Sequence, residues 1–437
     1  MWTVVRRIND RLFTFLIADR RTYLFIAVFF VYLLNPFAYT NSDTQSTKLL
    51  PVSILRERNF DLNEFNQTYL RLPLDERNVV VVDGRVVSKF PVLHALLAVP
   101  FYIPFLLAGG PSGITEIEIP ARLYSVFVAA LSVVFLYMAA REISDERKAL
   151  FCSMVYAFGT CTWSISSQDL WQHGTSQMFI ALSLYFMLRG LKDERFTPYS
   201  GFTLACAVAT RPANLVTAGI LSLYIFREHR LVFKKFLFYA TMPVLFVLSY
   251  SWVYFHSFLM LGQGQDPLAK WTTPFFYGLL SLLFSSSKGL FVYSPFLIFS
   301  FAGIYLSWKD KQNVLFKYIS TSVLLALFMW SKWWAWHGTT SYGYRMLLDL
   351  TPLLIILLLP VFQKYNRNTW FWILFLMLVS YSVVIQMVGV FFFDDSWDVR
   401  HFTSYPEDGV SPYYWSIGES QLSYYMKKAF NTLFSHA

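Results

Sequence analysis

Apolar residues run through this chain in blocks of up to 28, separated by short polar connectors. The blocks cover 22–40, 121–140, 149–165, 172–188, 199–226, 237–256, 289–306, 315–330, 347–362 and 370–391, with one more at 90–108. About 20 residues of α-helix cross a bilayer core about 30 Å thick. The pattern therefore predicts an all-α polytopic membrane protein. Within 199–226 the pair Arg211-Pro212 interrupts the apolar run, and proline disfavours a helical residue before it. Two short spans meeting at Arg211 are expected there.

The connectors fall into two kinds. Short basic ones lie at 1–21, 141–148, 189–198, 227–235, 307–317 and 363–369, and together hold 20 of the 36 Lys and Arg residues but only 9 of the 27 acidic ones. The positive-inside rule assigns them to the cytoplasm. Longer, aromatic connectors of mixed charge lie at 41–120, 166–171, 257–288, 331–346 and 392–437. Parity then requires that one of the runs 22–40, 90–108 and 121–140 does not cross. The run 90–108 contains Pro91, Pro100 and Pro104 and is expected to be a juxtamembrane or re-entrant helix. The outcome is about 11 spans (ten to thirteen), with a cytoplasmic N-terminus and an outer C-terminus. They form a single integral membrane domain over 1–437, with a long outer loop at 41–120 and an outer tail at 392–437. No cleaved signal peptide is expected at 22–40, because no A-x-A site follows it.

Composition fits this reading. Charged residues make up 14% of the chain, against about 25% in soluble domains, which excludes an ordinary soluble enzyme. The net charge of +9 would suit a nucleic-acid binder only if it lay on one face of a soluble domain. It collects instead in the cytoplasmic connectors, and the outer side is slightly acidic, so no nucleic-acid partner is implied. Cys152, Cys161 and Cys206 sit in apolar stretches without metal-ligand spacing and read as small core residues. GxGxxG, P-loop, GxSxG and HExxH patterns are all missing.

Charges at the outer edge of a membrane protein are the informative ones, since they cost free energy unless they serve a purpose. Asp43, just after the first run, can act as a general base toward a hydroxyl or amine; the plainer reading is a helix cap. Lys89, at the start of the 90–108 run, can reach a lipid phosphate or simply snorkel. Asp169 and His173, in the turn Ser167-Gln-Asp-Leu-Trp-Gln-His173, would share a helix face and with Asp43 could hold an acceptor or a divalent metal. An aromatic-belt turn is the alternative. Lys288 among Ser285, Ser286 and Ser287 suits an anion. Arg345 opens another run and would pair with Asp349 at i+4 or bind a phosphate. Arg122, Arg211, His337 and Tyr342 are further candidates.

In order along the chain, these features resemble the GT-C superfamily of integral membrane glycosyltransferases, in particular protein O-mannosyltransferases and lipid A aminoarabinose transferases. The resemblance rests on Asp43 heading a long first outer loop, Lys89-Phe90-Pro91 opening a membrane-proximal helix, and Ala121-Arg122-Leu123 opening the next span. It continues with Leu170-Trp-Gln-His173, Arg211-Pro212, and the late segments Lys288-Gly-Leu-Phe-Val-Tyr-Ser-Pro295 and Gly338-Thr-Thr-Ser-Tyr-Gly-Tyr-Arg345. The sequence departs from the family where Thr44 follows Asp43 in place of Glu, where Phe90 precedes Pro91 in place of Pro, and in lacking a soluble C-terminal domain. The resemblance implies an inverting transferase in a bacterial inner membrane, with a sugar on a polyprenyl phosphate as donor and a glycan, lipid or protein as acceptor. Asp43 would be the base. Lys89, Arg345 and Lys288 would neutralise the departing lipid phosphate, and Asp169 and His173 would bind acceptor or metal. The active site would face the periplasm. The rival readings are a transporter or flippase of lipid-linked saccharides, whose polar groups would lie at the membrane midplane, and an inactive assembly subunit.

Overall fold

Helices follow the apolar runs in the computed structural model, which describes residues 19–35, 42–65, 78–108, 114–258, 270–402 and 404–434. Most of the basic N-terminal segment lies outside these residues. The first helices are α1 (Arg20–Leu33), α2 (Ser42–Arg56), α3 (Leu93–Leu107), α4 (Ile114–Ile143), α5 (Glu146–Gly159) and α6 (Gln172–Gly190). Next come α7 (Tyr199–Thr210), α8 (Leu215–Glu228), α9 (Arg230–Phe255), α10 (Phe275–Phe284), α11 (Ile298–Lys309) and α12 (Val314–Ser331). The run Arg345–Lys364, here α13, starts as a 3-10 helix over Arg345–Leu350. Then follow α14 (Thr369–Phe392), α15 (Ser396–His401) and α16 (Gln421–Phe434).

Five stretches among the described residues are long and apolar enough to cross a membrane: Ile117–Ile143 of α4, α9, α12, α13 and α14. The apolar α3 has 15 residues, or about 22 Å at 1.5 Å per residue, shorter than any of these five. The interruption at Arg211 is a reversal of direction. Glu194, before α7, meets His229, after α8, at 2.9 Å, so the two helices run antiparallel with Arg211-Pro212 at the tip.

The basic connectors converge at one end of the helices. Arg20 pairs with Glu146. Glu142 takes Arg189 at 3.4 Å and Lys192 at 3.0 Å. Gln363 donates to the carbonyl of Ile143 at 3.5 Å. Connectors 1–21, 141–148, 189–198, 227–235 and 363–369 are thus stitched together among the described residues.

The loop after α2 adds one element to an otherwise helical chain. Strands β1 (Val79–Val82) and β2 (Arg85–Ser88) pair antiparallel, with Val79 opposite Ser88. Asp83 and Gly84 join them with φ of 49° and 78°, the left-handed pair that a tight hairpin turn needs. Close helix packing rests on small residues. A Cβ on Gly303 of α11 would run into the carbonyl oxygen of Leu357 in α13, so this glycine lets two backbones touch.

Candidate active site

The helix ends away from the basic connectors carry most of the buried charge. They include the starts of α2, α4, α6 and α13 and the tip between α7 and α8. The chain opens out of helix in several places here. A five-residue π-turn, Thr162–Ser166, follows α5 and leads into the turn that holds Asp169. Arg122 clamps this turn by donating to the carbonyls of Gln168 and Tyr32, each at 3.0 Å.

Asp43 sits in the first turn of α2 and is partly exposed. Its Oδ2 accepts from Arg345 Nη1 at 2.7 Å, and its Oδ1 from Asn78 Nδ2 at 3.0 Å. Asn78 in turn accepts, through its carbonyl, the N–H of Lys89 at 2.9 Å. The β-hairpin therefore ties Lys89, itself partly exposed, to the partner of Asp43. The guanidinium of Arg345 lies 4.5 Å over the ring of Trp171 and reaches Thr339 Oγ1 at 3.3 Å. Arg345 and Asp43 are 302 positions apart in sequence. The short-range pairing of Arg345 with Asp349 does not form.

Asp169 and His173 go to other partners. Asp169 is buried and accepts from Lys48 at 2.8 Å, Thr44 Oγ1 at 2.5 Å and the N–H of Leu170 at 2.7 Å. Lys48 also binds Glu118 at 2.6 Å. Burial alone would depress the Lys48 ammonium, but the carboxylates of Asp169 and Glu118 outweigh it and hold the group above its usual value. His173 lies 3.9 Å from Asp349, which pairs with Arg211. Arg211 also stacks 4.8 Å over Trp330. The structure thus sends Asp43 to Arg345, Asp169 to Lys48, and His173 to the neighbourhood of the Arg211–Asp349 pair. Among the described residues no group of three or more His, Cys, Asp or Glu side chains is placed to hold a metal ion.

A second shell of contacts shapes the loop that precedes Arg345. Lys288 is fully buried and donates to the carbonyls of Thr339, at 3.2 Å, and Ser341. It lies 3.6 Å from Asp398. Burial lowers the Lys288 ammonium to about 8 and raises the Asp398 carboxyl. Tyr405 and Gln421 both donate to Asp398, at 3.0 and 3.2 Å. Tyr342 anchors the loop to α14 by donating to the carbonyl of Ile385 at 2.8 Å. His337 is stacked between Tyr405 and Tyr414, with ring centroids at 5.0 and 4.8 Å. Its Nδ1 accepts the N–H of Thr339 at 3.1 Å, which assigns the proton to Nε2. Burial, with Lys288 and Arg345 nearby, holds this imidazole far below its usual value and hence neutral.

Sequence reasoning singled out Asp43 and Arg345 separately but not their pairing. It passed over Lys48, Glu118, Asn78, Asp398 and Gln421. Glu118, at the head of an apolar run, carried a usable signal; Lys48 and Gln421 become visible only once the chain has folded.

Residues 98–255 match the family model described as "Dolichyl-phosphate-mannose-protein mannosyltransferase". The match covers about a third of the chain. It carries Arg122, Asp169, His173 and Arg211, while Asp43, Lys89, Lys288 and Arg345 lie outside it. No curated protein matches the sequence. Among solved structures, the apo oligosaccharyltransferase of Archaeoglobus fulgidus aligns with a TM-score of 0.47 at 11% identity. The oligosaccharyltransferase AglB of the same organism, in complex with an inhibitory peptide and a dolichol-phosphate, aligns with a TM-score of 0.47 at 13% identity. Each alignment covers 86% of this chain, and the chain spans 56% of each neighbour.

Proposed function

We propose that this GT-C chain moves a sugar from a polyprenyl-phosphate donor to a glycan, lipid or protein acceptor, with inversion, on the non-cytoplasmic side of a bacterial inner membrane. The observation that carries the reading is the Asp43–Arg345 pair at 2.7 Å, set over Trp171 at the helix ends away from the basic connectors. A carboxylate and a guanidinium in contact supply a proton acceptor and a phosphate partner within one site. About 11 spans, a cytoplasmic N-terminus and an outer C-terminus complete the proposal.

In the step itself, the acceptor oxygen or nitrogen attacks the anomeric carbon and loses its proton to Asp43. The bond from that carbon to the phosphate oxygen breaks, and the polyprenyl phosphate leaves with the electron pair. Arg345 and Lys89 neutralise the charge that builds on this leaving group, so their contacts strengthen in the transition state. Lys288 acts indirectly, by holding the backbone of residues 339–341 that positions Arg345. Asp169, fixed by Lys48, and His173 border the acceptor side. An apolar cavity of about 310 Å³ between α7, α8 and α9 opens beside Pro212 and is lined by Leu204, Val208, Ala218, Val244 and Leu248. It offers the prenyl chain a place in the bilayer.

The resting ion pair has a kinetic consequence. Arg345 cannot give both Nη groups to a phosphate while one holds Asp43. Arrival of the donor draws Arg345 away and releases the carboxylate for the acceptor, so donor binds first. Mass spectrometry of lipids and glycans in cells carrying only Asp43→Asn tests the function. A lipid-linked sugar should accumulate and a glycan or lipid should lose that sugar. Unchanged profiles would sink the proposal.

A further inference from the structure

Helix α16 follows the last apolar run and faces two ways. Tyr425 and Ala429 are buried against the protein. Met426, Phe430, Leu433 and Phe434 form a second face and are exposed, Phe430 at 63% and Leu433 at 65%. The spacing of i, i+4 and i+7 or i+8 is that of an apolar stripe along one side of a helix. Exposed Asn431 lies off the stripe, about 100° around the helix from Phe430. At 14 residues the helix is about 21 Å long, too short to cross a bilayer.

Its position says what covers the stripe. Tyr425 packs on Phe393 with ring centroids 5.2 Å apart, and Phe393 is the residue immediately after α14. Lys428 pairs with Asp394. The helix is therefore fixed at the end of a membrane-length helix whose own flank, at Tyr381, Val384 and Met387, is exposed and apolar. An exposed apolar flank on a helix of this length meets lipid, and α16 packs against that same helix. Apolar faces of this kind settle at the boundary between headgroups and acyl chains.

We propose that α16 docks on the lipid bilayer through Met426, Phe430, Leu433 and Phe434, and that this contact holds the candidate site in shape. The link is Gln421, the first residue of α16. Its side chain donates to the carbonyl of Ser341 at 2.9 Å and accepts the N–H of Gly343 at 3.0 Å. These two residues lie in the loop that leads to Arg345. A helix pinned to the membrane pins that loop as well.

The test uses the full chain in lipid nanodiscs and needs no substrate. All three native cysteines are buried, so a bimane label attaches at Phe430→Cys or, as a control, at Asn431→Cys. Lipids brominated on their acyl chains should quench the label at 430 at least twofold and leave the label at 431 unchanged, while aqueous iodide should do the reverse. Iodide quenching at both positions would overturn the docking. So would a label at 430 shielded from both quenchers, because a second copy or a partner protein would then cover the face. In the double variant Phe430→Asp/Leu433→Asp, amide hydrogen exchange over residues 341–343 should speed up at least tenfold. Unchanged exchange would overturn the link to the site.

Discussion

As the proposed base, Asp43 can act only when Arg345 lets it go, and the two proposed roles predict opposite effects from one substitution. Asp43→Asn removes the proton acceptor, so turnover should fall by about 10²- to 10⁴-fold. The same change frees Arg345, so polyprenyl phosphate should bind the variant more tightly than the wild type. A hydrogen bond to a charged group contributes about 1.5–3 kcal/mol, and a gain of roughly tenfold or more is expected in a titration of the purified protein. Equal or weaker binding would remove the competition between carboxylate and phosphate. Lys288 adds a prediction in pH. Its ammonium is lowered to about 8 by burial, so between pH 8 and the higher value of the unfolded lysine the unfolded state binds more protons. Stability from this group therefore rises with pH across that window and is flat below it. Melting temperatures measured from pH 7 to 10 should show this slope in the wild type and lose it in Lys288→Met.

Elements differ in how openly the sequence announces them, and the reason is physical. Hydrophobic length and Arg211-Pro212 are local properties, so the runs now seen as α4, α9, α12, α13 and α14, and the reversal between α7 and α8, could be read directly. The hairpin is also written locally, as two valine-rich stretches around Asp83-Gly84 just before Lys89. Ion pairing is not local. Arg345 has a carboxylate four residues away at Asp349, and helical spacing favours that partner; the 3-10 start of α13 and the reach of Arg211 from another helix give Asp349 to Arg211 and leave Arg345 to Asp43. Packing between elements is similarly hidden. Gly303 looks ordinary in sequence, but α11 and α13 meet backbone to backbone there. Gly303→Val should separate them and cost about 1–3 kcal/mol, seen as a lower melting temperature in detergent with Lys89 and Asp43 untouched.

At the scale of the molecule, two kinds of electrostatics sit at opposite helix ends. At one end the pairs among Arg20, Glu142, Glu146, Arg189 and Lys192 are largely exposed, and such pairs stabilise by at most about 1 kcal/mol each; their basic excess is the signature that the positive-inside rule reads as cytoplasmic. At the other, Lys48, Asp169, Arg211, Asp349, Lys288 and Asp398 are buried. Removing one partner there costs about 3–5 kcal/mol because the other stays uncompensated. A buried network of this density fixes the geometry around Asp43, whereas the exposed ladder fixes little. If this division is the organising principle, the two ends must be on different sides of the membrane. In right-side-out membranes, a thiol at Asn78→Cys should react with an impermeant maleimide, and a thiol at Lys192→Cys should react only after the membrane is opened. Reaction of both from the same side would break the topology on which the outward-facing site, the donor-first order and the lipid contact of α16 all depend.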